Sequence, residues 1–196
     1  MSGKKHFSTG KTFFAASALV ILFLAVNLPS ANAEFSDLNS NSPFFDAVNY
    51  VQSQGIVNGY TDGTYKPENR INRAEFVKIV TSAVFDEDQI LGCAPNKVFP
   101  DVSSNDWFYP YICVASNNGI VNGYSDGSFK PGNYINFVEA SKIIVNTFGY
   151  ETSPKEIWYQ SFVEKMEELK AIPGSICSIS KNISRGEMAE MIFRSP

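Results

Sequence analysis

Histidine is almost missing from this chain, and the one present, His6, stands near its start. Nucleophile–histidine pairs and histidine metal sites are thereby excluded from everything that follows. Cysteine is scarce. Cys93, Cys113 and Cys177 occur without a Cys-x-x-Cys spacing, so a zinc site of that type is excluded too. The short acidic run Asp86-Glu-Asp88 lacks the alternating ligands and the glycine of a calcium loop. We therefore expect no metal and no cofactor. Positive charge is also in short supply. The formal net charge is −4, a poor balance for binding nucleic acid or an anionic membrane. An anionic ligand would have to be met by local cations.

Long apolar runs are limited to one, between Phe13 and Leu28. At about 16 residues it falls short of the roughly 20 needed to span a bilayer. Lys4, Lys5 and Lys11 precede it, and Ala31-Asn-Ala33 follows as a small-x-small cleavage site. Residues 1–33 read as a secretory signal peptide cleaved before Glu34; the alternative is an uncleaved anchor. Cleavage would leave residues 34–196 with no further spanning segment and take the charge from −4 to −7 by loss of three lysines. That length suffices for one domain with a core. In an exported chain disulfides persist. We expect Cys93 and Cys113 to pair, tying a linker to the following helix, although sequence alone does not fix the connectivity. Cys177 is left over.

What the chain does have is an internal repeat. Gly55-Ile-Val-Asn-Gly-Tyr-Thr-Asp-Gly-Thr-Tyr-Lys-Pro-Glu-Asn-Arg-Ile-Asn72 recurs as Gly119 to Asn136, with 13 of 18 positions identical and no gap. Phe35-Ser-Asp-Leu38 matches Phe99-Pro-Asp-Val102, and Ile71-Asn-Arg-Ala-Glu75 matches Ile135-Asn-Phe-Val-Glu139. A fainter third copy carries Trp158-Tyr159, echoing Trp107-Phe108, and closes on Ile183-Ser-Arg-Gly-Glu187. Such a period signals a repeat architecture with an atypical terminal copy. We place the copies at about residues 35–85, 99–149 and 156–196, with a linker loop at 86–98.

Each copy reads helix, loop, helix. The second helix opens on Asn72, Asn136 or Ser184, with Glu75, Glu139 or Glu187 three residues on, the spacing of a capping box. Phe76, Ile79, Val80, Ala83 and Val84 then trace one apolar face, as do Ala140, Ile143, Ile144, Thr147 and Phe148. Three such faces can be buried against each other. The first helix is expected over about 44–54, 110–118 and 159–169, ending at Gly55 and Gly119 in the first two copies. Asp62-Gly63 and Asp126-Gly127 mark turns. Lys66-Pro67 and Lys130-Pro131 should hold the chain extended.

This pattern resembles the S-layer homology (SLH) domain, whose repeat opens on Phe-x-Asp-Val, has a Trp, continues Gly-Ile-x-x-Gly-Tyr-x-Asp-Gly-x-Phe-x-Pro and closes on Ile-Thr-Arg-Ala-Glu. The resemblance covers about residues 35–196. It implies an all-α, three-repeat pseudo-trimer, a central three-helix bundle with three prongs of loop and helix. It also implies non-covalent binding of a secondary cell-wall polysaccharide, often pyruvylated, or of peptidoglycan, in grooves between prongs at the cell surface. Arg73 and Arg185 match the closing Arg, which commonly faces the groove; a guanidinium can hold a carboxylate by two parallel hydrogen bonds. Trp107 and Trp158 could stack on a sugar, and Gly59 and Gly123 would let backbone approach the ligand. Copy 2 departs from the pattern with Phe137-Val138 in place of Arg-Ala, copy 1 with Pro43 at the Trp position, and copy 3 by lacking the Gly-Tyr-x-Asp-Gly loop. One or two competent grooves are expected, not three.

Plainer roles stand beside these. Arg73 and Arg185 could be solvated residues at a helix N-terminus, though a cation there opposes the helix dipole. Trp107 and Trp158 could be packing residues. The Asp-Gly pairs are explained by turns, and the three glutamates by capping. Paired carboxylates could in principle cut a glycosidic bond, but each has that structural account, so no enzyme activity is expected. The reading is a secreted, non-catalytic, cell-envelope binding module. The alternative is a surface protein that assembles with itself, an S-layer or another envelope protein.

Overall fold

In the computed structural model residues 34–97 and 99–195 are described; the signal peptide expected at 1–33 lies outside them. Among the described residues the secondary structure is helical, with no strand. The helices are α1 (Phe45–Ser53), α2 (Arg73–Ser82), α3 (Glu87–Leu91), α4 (Tyr109–Asn117), α5 (Phe137–Thr147), α6 (Gln160–Glu168) and α7 (Arg185–Phe193). None is long and apolar enough to cross a membrane.

The second helices α2, α5 and α7 each begin with a complete capping box. Asn72, Asn136 and Ser184 accept from the backbone N–H of Glu75, Glu139 and Glu187, whose carboxylates accept from the cap N–H. The residues just before these caps close a ring. Ile71 N–H donates to the Ile183 carbonyl (3.2 Å), Ile183 N–H to Ile135 (3.0 Å), and Ile135 N–H to Ile71 (3.2 Å). All three isoleucines are fully buried, so each of these polar groups is satisfied within the protein and not by water.

The same cyclic order serves the helix ends. The first N–H groups of α2 donate to Asn133 and Pro131, those of α5 to Lys181 and Ile179, and those of α7 to Asn69 and Pro67. Each helix thus has its orphan donors met by the loop of another copy. Packing follows the ring as well: α4 lies on α2, α6 on α5, and α1 on α7, while α2 also meets α5. The largest fully buried side chains include Tyr65, Phe76, Phe129, Met166 and Met188.

Two expectations need correction. Lys66 and Lys130 are not extended; their φ angles are +58° and +59°, in the left-handed region. Long-range bonds hold them there. The Asp37 carboxylate accepts from the N–H groups of Tyr65 (2.8 Å) and Lys66 (2.7 Å), and Asp101 accepts from Phe129 (2.8 Å) and Lys130 (2.7 Å). These charge-assisted bonds outweigh the local preference of a residue before proline. The linker, in turn, is not loop throughout. Asp86 and Gln89 form a capping box and start α3, and Ile90 is buried. Cys93 and Cys113 are joined as expected, tying the segment after α3 to α4. Cys177 is free and exposed.

Candidate functional site: two grooves between repeats

The six residues singled out from sequence fall into two clefts, three in each. Groove 1, of about 700 Å³, is lined by Gly59, Trp107 and Arg185 together with Tyr60, Glu75 and Lys78. Groove 2, of about 310 Å³, is lined by Gly123, Trp158 and Arg73 together with Tyr124, Glu139 and Lys142. Every groove therefore draws its loop glycine and lysine from one copy, its tryptophan from the next, and its arginine from the remaining one.

The arginines are not solvated helix-end residues. Arg73 is 6% exposed and Arg185 7%. Arg73 lies over the rings of Tyr124 (5.1 Å) and Phe129 (4.9 Å), and Arg185 over Tyr60 (4.7 Å) and Tyr65 (4.8 Å). These cation–π contacts offset part of the cost of desolvation. Arg185 Nε also donates to the Tyr65 carbonyl at 2.8 Å, while Arg73 Nε is buried without a partner. Neither arginine has an ion-pair partner among the described residues. A buried cation without a counter-charge is costly. Burial lowers the Arg73 pKa, against the opposing pull of Tyr124 and Glu139.

The tryptophans are not packing residues either. Trp107 is 55% exposed and Trp158 53%. Each meets its neighbour edge to face, Phe108 at 5.2 Å and Tyr159 at 5.5 Å, which fixes the indole while leaving much of it open. Lys78 Nζ lies 5.8 Å from the Trp107 ring centroid and Lys142 Nζ 5.7 Å from that of Trp158. Sequence reading missed both lysines. They occupy the same position in the first two copies, and that correspondence was the signal that could have found them. Tyr60 and Tyr124 correspond in the same way. The Tyr124 hydroxyl, its pKa pushed up to about 12 by burial and by its bond to Glu139, donates to that carboxylate at 2.6 Å.

For the glycines, the structure supplies a reason other than ligand approach. At Gly59 (φ +70°) a Cβ would meet the Phe35 ring at 2.2 Å, and at Gly123 (φ +74°) the Phe99 ring at 2.5 Å. The missing side chain makes room for the Phe of the Phe-x-Asp motif. The Asp62 and Asp126 carboxylates accept from Thr64 N–H and Ser128 N–H and pair with Lys66 and Lys130, as turn residues do. Gly123-Tyr-Ser-Asp-Gly127 also spells the Gly-x-Ser-x-Gly pattern of a hydrolase nucleophile elbow. Here it is an exposed turn with no strand before it, and no histidine occurs among the described residues.

At the third junction the chemistry differs. Phe137 stands where the other copies have Arg73 and Arg185, and Glu190 where they have Lys78 and Lys142. Glu187 is held by Lys181 and Ser175, and Glu190 by Arg194. No cation is left facing a ligand from the positions that supply one elsewhere.

The Middle cell wall protein of Brevibacillus brevis is 35% identical over 169 residues, 84% of this chain but 16% of its own length. The Surface layer protein of Brevibacillus choshinensis is 36% identical over 127 residues, 65% of this chain and 11% of its own. The Cellulosome-anchoring protein of Acetivibrio thermocellus is 28% identical over 116 residues, 59% of this chain and 26% of its own. The chain thus spans about a quarter or less of these relatives. Residues 34–77 and 98–140, which fall in the first two copies of the repeat, match the S-layer homology domain family.

Proposed function

We propose that this chain is a non-catalytic cell-envelope anchoring module that binds an anionic wall glycan in its two inter-repeat grooves. The observation that carries this reading is the pair of nearly buried guanidiniums, Arg73 and Arg185, each in a groove and without an ion pair. A ligand carboxylate supplies the missing counter-charge. It takes two parallel hydrogen bonds from the guanidinium, at a desolvated site where such bonds count most. Lys78 or Lys142 adds a second cation, and Trp107 or Trp158 gives the sugar ring a flat apolar face. The helix N-termini contribute little, because their free N–H groups are already used by the neighbouring loops.

The ligand on this reading is a secondary cell-wall polysaccharide bearing carboxylates such as pyruvate ketals. The third copy lends Arg185 to groove 1 and Trp158 to groove 2 without building a glycan groove on its own loop, and residues 1–33 direct export to the cell surface. The names of the wall, surface-layer and anchoring relatives support the envelope setting.

The test is co-sedimentation of residues 34–196 with purified sacculi, before and after mild acid extraction of the attached polymer. Binding that vanishes with the polymer supports the reading. Binding that survives extraction redirects it to peptidoglycan, and absence of binding to both preparations leaves assembly with envelope proteins as the function.

A further inference from the structure

The two grooves share their cation, tryptophan and glycine, yet groove 1 encloses more than twice the volume of groove 2. Part of the difference comes from the linker. Glu87, Ile90 and Leu91 of α3 line groove 1, and α3 has no counterpart beside groove 2. Asp86 and Gln89 cap α3, Ile90 is buried, and the Cys93–Cys113 bond ties the end of this segment to α4, next to Trp107 and Tyr111 of the same groove. Leu91, by contrast, is 64% exposed. A fixed helix that holds a leucine open at the edge of a cleft offers an apolar shelf continuous with the site.

Resting on the glycan reading above, we infer that α3 is a specificity element which gives groove 1 a second subsite for a neutral sugar ring adjoining the anionic one. The charges set this polarity. Arg185 and Lys78 supply the cations of groove 1, whereas α3 contributes only the carboxylate of Glu87. A second anionic ring at α3 would be repelled, and a neutral ring can lie its C–H face on Leu91. Groove 1 therefore reads a longer stretch of glycan, and groove 2 reads a single charged residue. Covering one apolar side chain such as Leu91 is worth roughly a factor of ten in affinity.

The chain holds only two tryptophans, one per groove, so each groove has its own fluorescent reporter. Trp158→Phe leaves the groove 1 reporter and Trp107→Phe that of groove 2. Both variants are titrated with a monosaccharide and a trisaccharide that carry the same single pyruvate ketal, the two extra rings being neutral. Groove 1 is expected to prefer the trisaccharide about tenfold, and groove 2 less than twofold. Leu91→Ser, a neutral change at an exposed position the fold does not need, should reduce the groove 1 preference to that of groove 2 by weakening the trisaccharide far more than the monosaccharide. Equal length preference in both grooves, or a groove 1 preference untouched by Leu91→Ser, overturns the inference while leaving the anchoring function intact. Silence of both reporters towards both sugars overturns the two together.

Discussion

The guanidinium of Arg73, from the first copy, lies 5.1 Å from the ring centroid of Tyr124 in the second, and its Nε is buried with no hydrogen-bond partner. Tyr124 in turn donates its hydroxyl to Glu139, so the one carboxylate lining that groove is already engaged by the ring and the cap. The arginine is held in place by aromatic faces and left electrostatically incomplete.

An incomplete buried charge predicts a split between stability and binding. Arg73→Met keeps the length and apolar contacts but removes the charge. Thermal unfolding should be unchanged or shifted up by a few degrees, because an uncompensated cation has been deleted. Binding to polymer-bearing sacculi should fall by about tenfold to a hundredfold, the worth of charge-assisted hydrogen bonds. A variant that loses stability and keeps its binding would assign Arg73 to the core.

Lys78 and Lys142 should act through charge more than geometry. Lys78 is exposed and Lys142 half-buried, and neither has an ion pair among the described residues. Each alanine substitution is expected to weaken wall binding a few-fold, and the double variant should show the product of the two losses, as for sites without shared partners. The variants should also bind with a shallower dependence on salt, since screening acts on exposed charges. Affinities measured at low and high ionic strength check both points.

Gly59→Ala and Gly123→Ala should damage the fold and not merely the groove. Each forces a Cβ into a phenylalanine ring at a positive φ. The combined steric and backbone cost is roughly 2–4 kcal/mol, read as a lower denaturant midpoint. If either alanine variant unfolds at the wild-type midpoint, the packing of Phe35 or Phe99 under these turns is not as described.

The buried Glu187 gives a pH dependence. Burial pushes its pKa up, but hydrogen bonds from Lys181, Ser175 and the Ser184 N–H outweigh this and bring it below the ordinary value of 4.5. A carboxylate depressed in the folded state stabilises fully above its unfolded pKa. That contribution is lost as pH falls through the folded value. Glu187→Gln should therefore be less stable than wild type at pH 7, with the gap narrowing below about pH 4.5. Thermal unfolding at several pH values between 7 and 3 measures it, and a constant gap would remove the ionised carboxylate from the explanation.

Much of the fold was written locally. The capping boxes at Asn72, Asn136 and Ser184 need only a side chain and its partner one turn on, and the apolar stripes behind them need only helical periodicity. The near-identity of the first two copies made the same reading twice over, which is why helix type and position were legible. The arginines, tryptophans and glycines of the grooves were legible as motif positions, whereas the pairing of Cys93 with Cys113 was an expectation that the structure had to fix. Copy by copy the sequence showed Phe137 in place of an arginine and Pro43 in place of a tryptophan, but not which junction each position serves.

Tertiary structure alone decided who meets whom. Ring closure through Ile71, Ile135 and Ile183 carries Arg185 to the loop of the first copy and the Trp107 of the second, a grouping that no sequence separation encodes. The left-handed Lys66 and Lys130 depend on the distant carboxylates of Asp37 and Asp101, long-range bonds that override a local preference. Gly59 and Gly123 owe their identity to Phe35 and Phe99, each at the opening of its own copy, and α3 becomes a groove wall only because a disulfide and a buried isoleucine hold it there. Local chemistry chose the helices; burial, backbone hydrogen bonding and ring closure then chose the site.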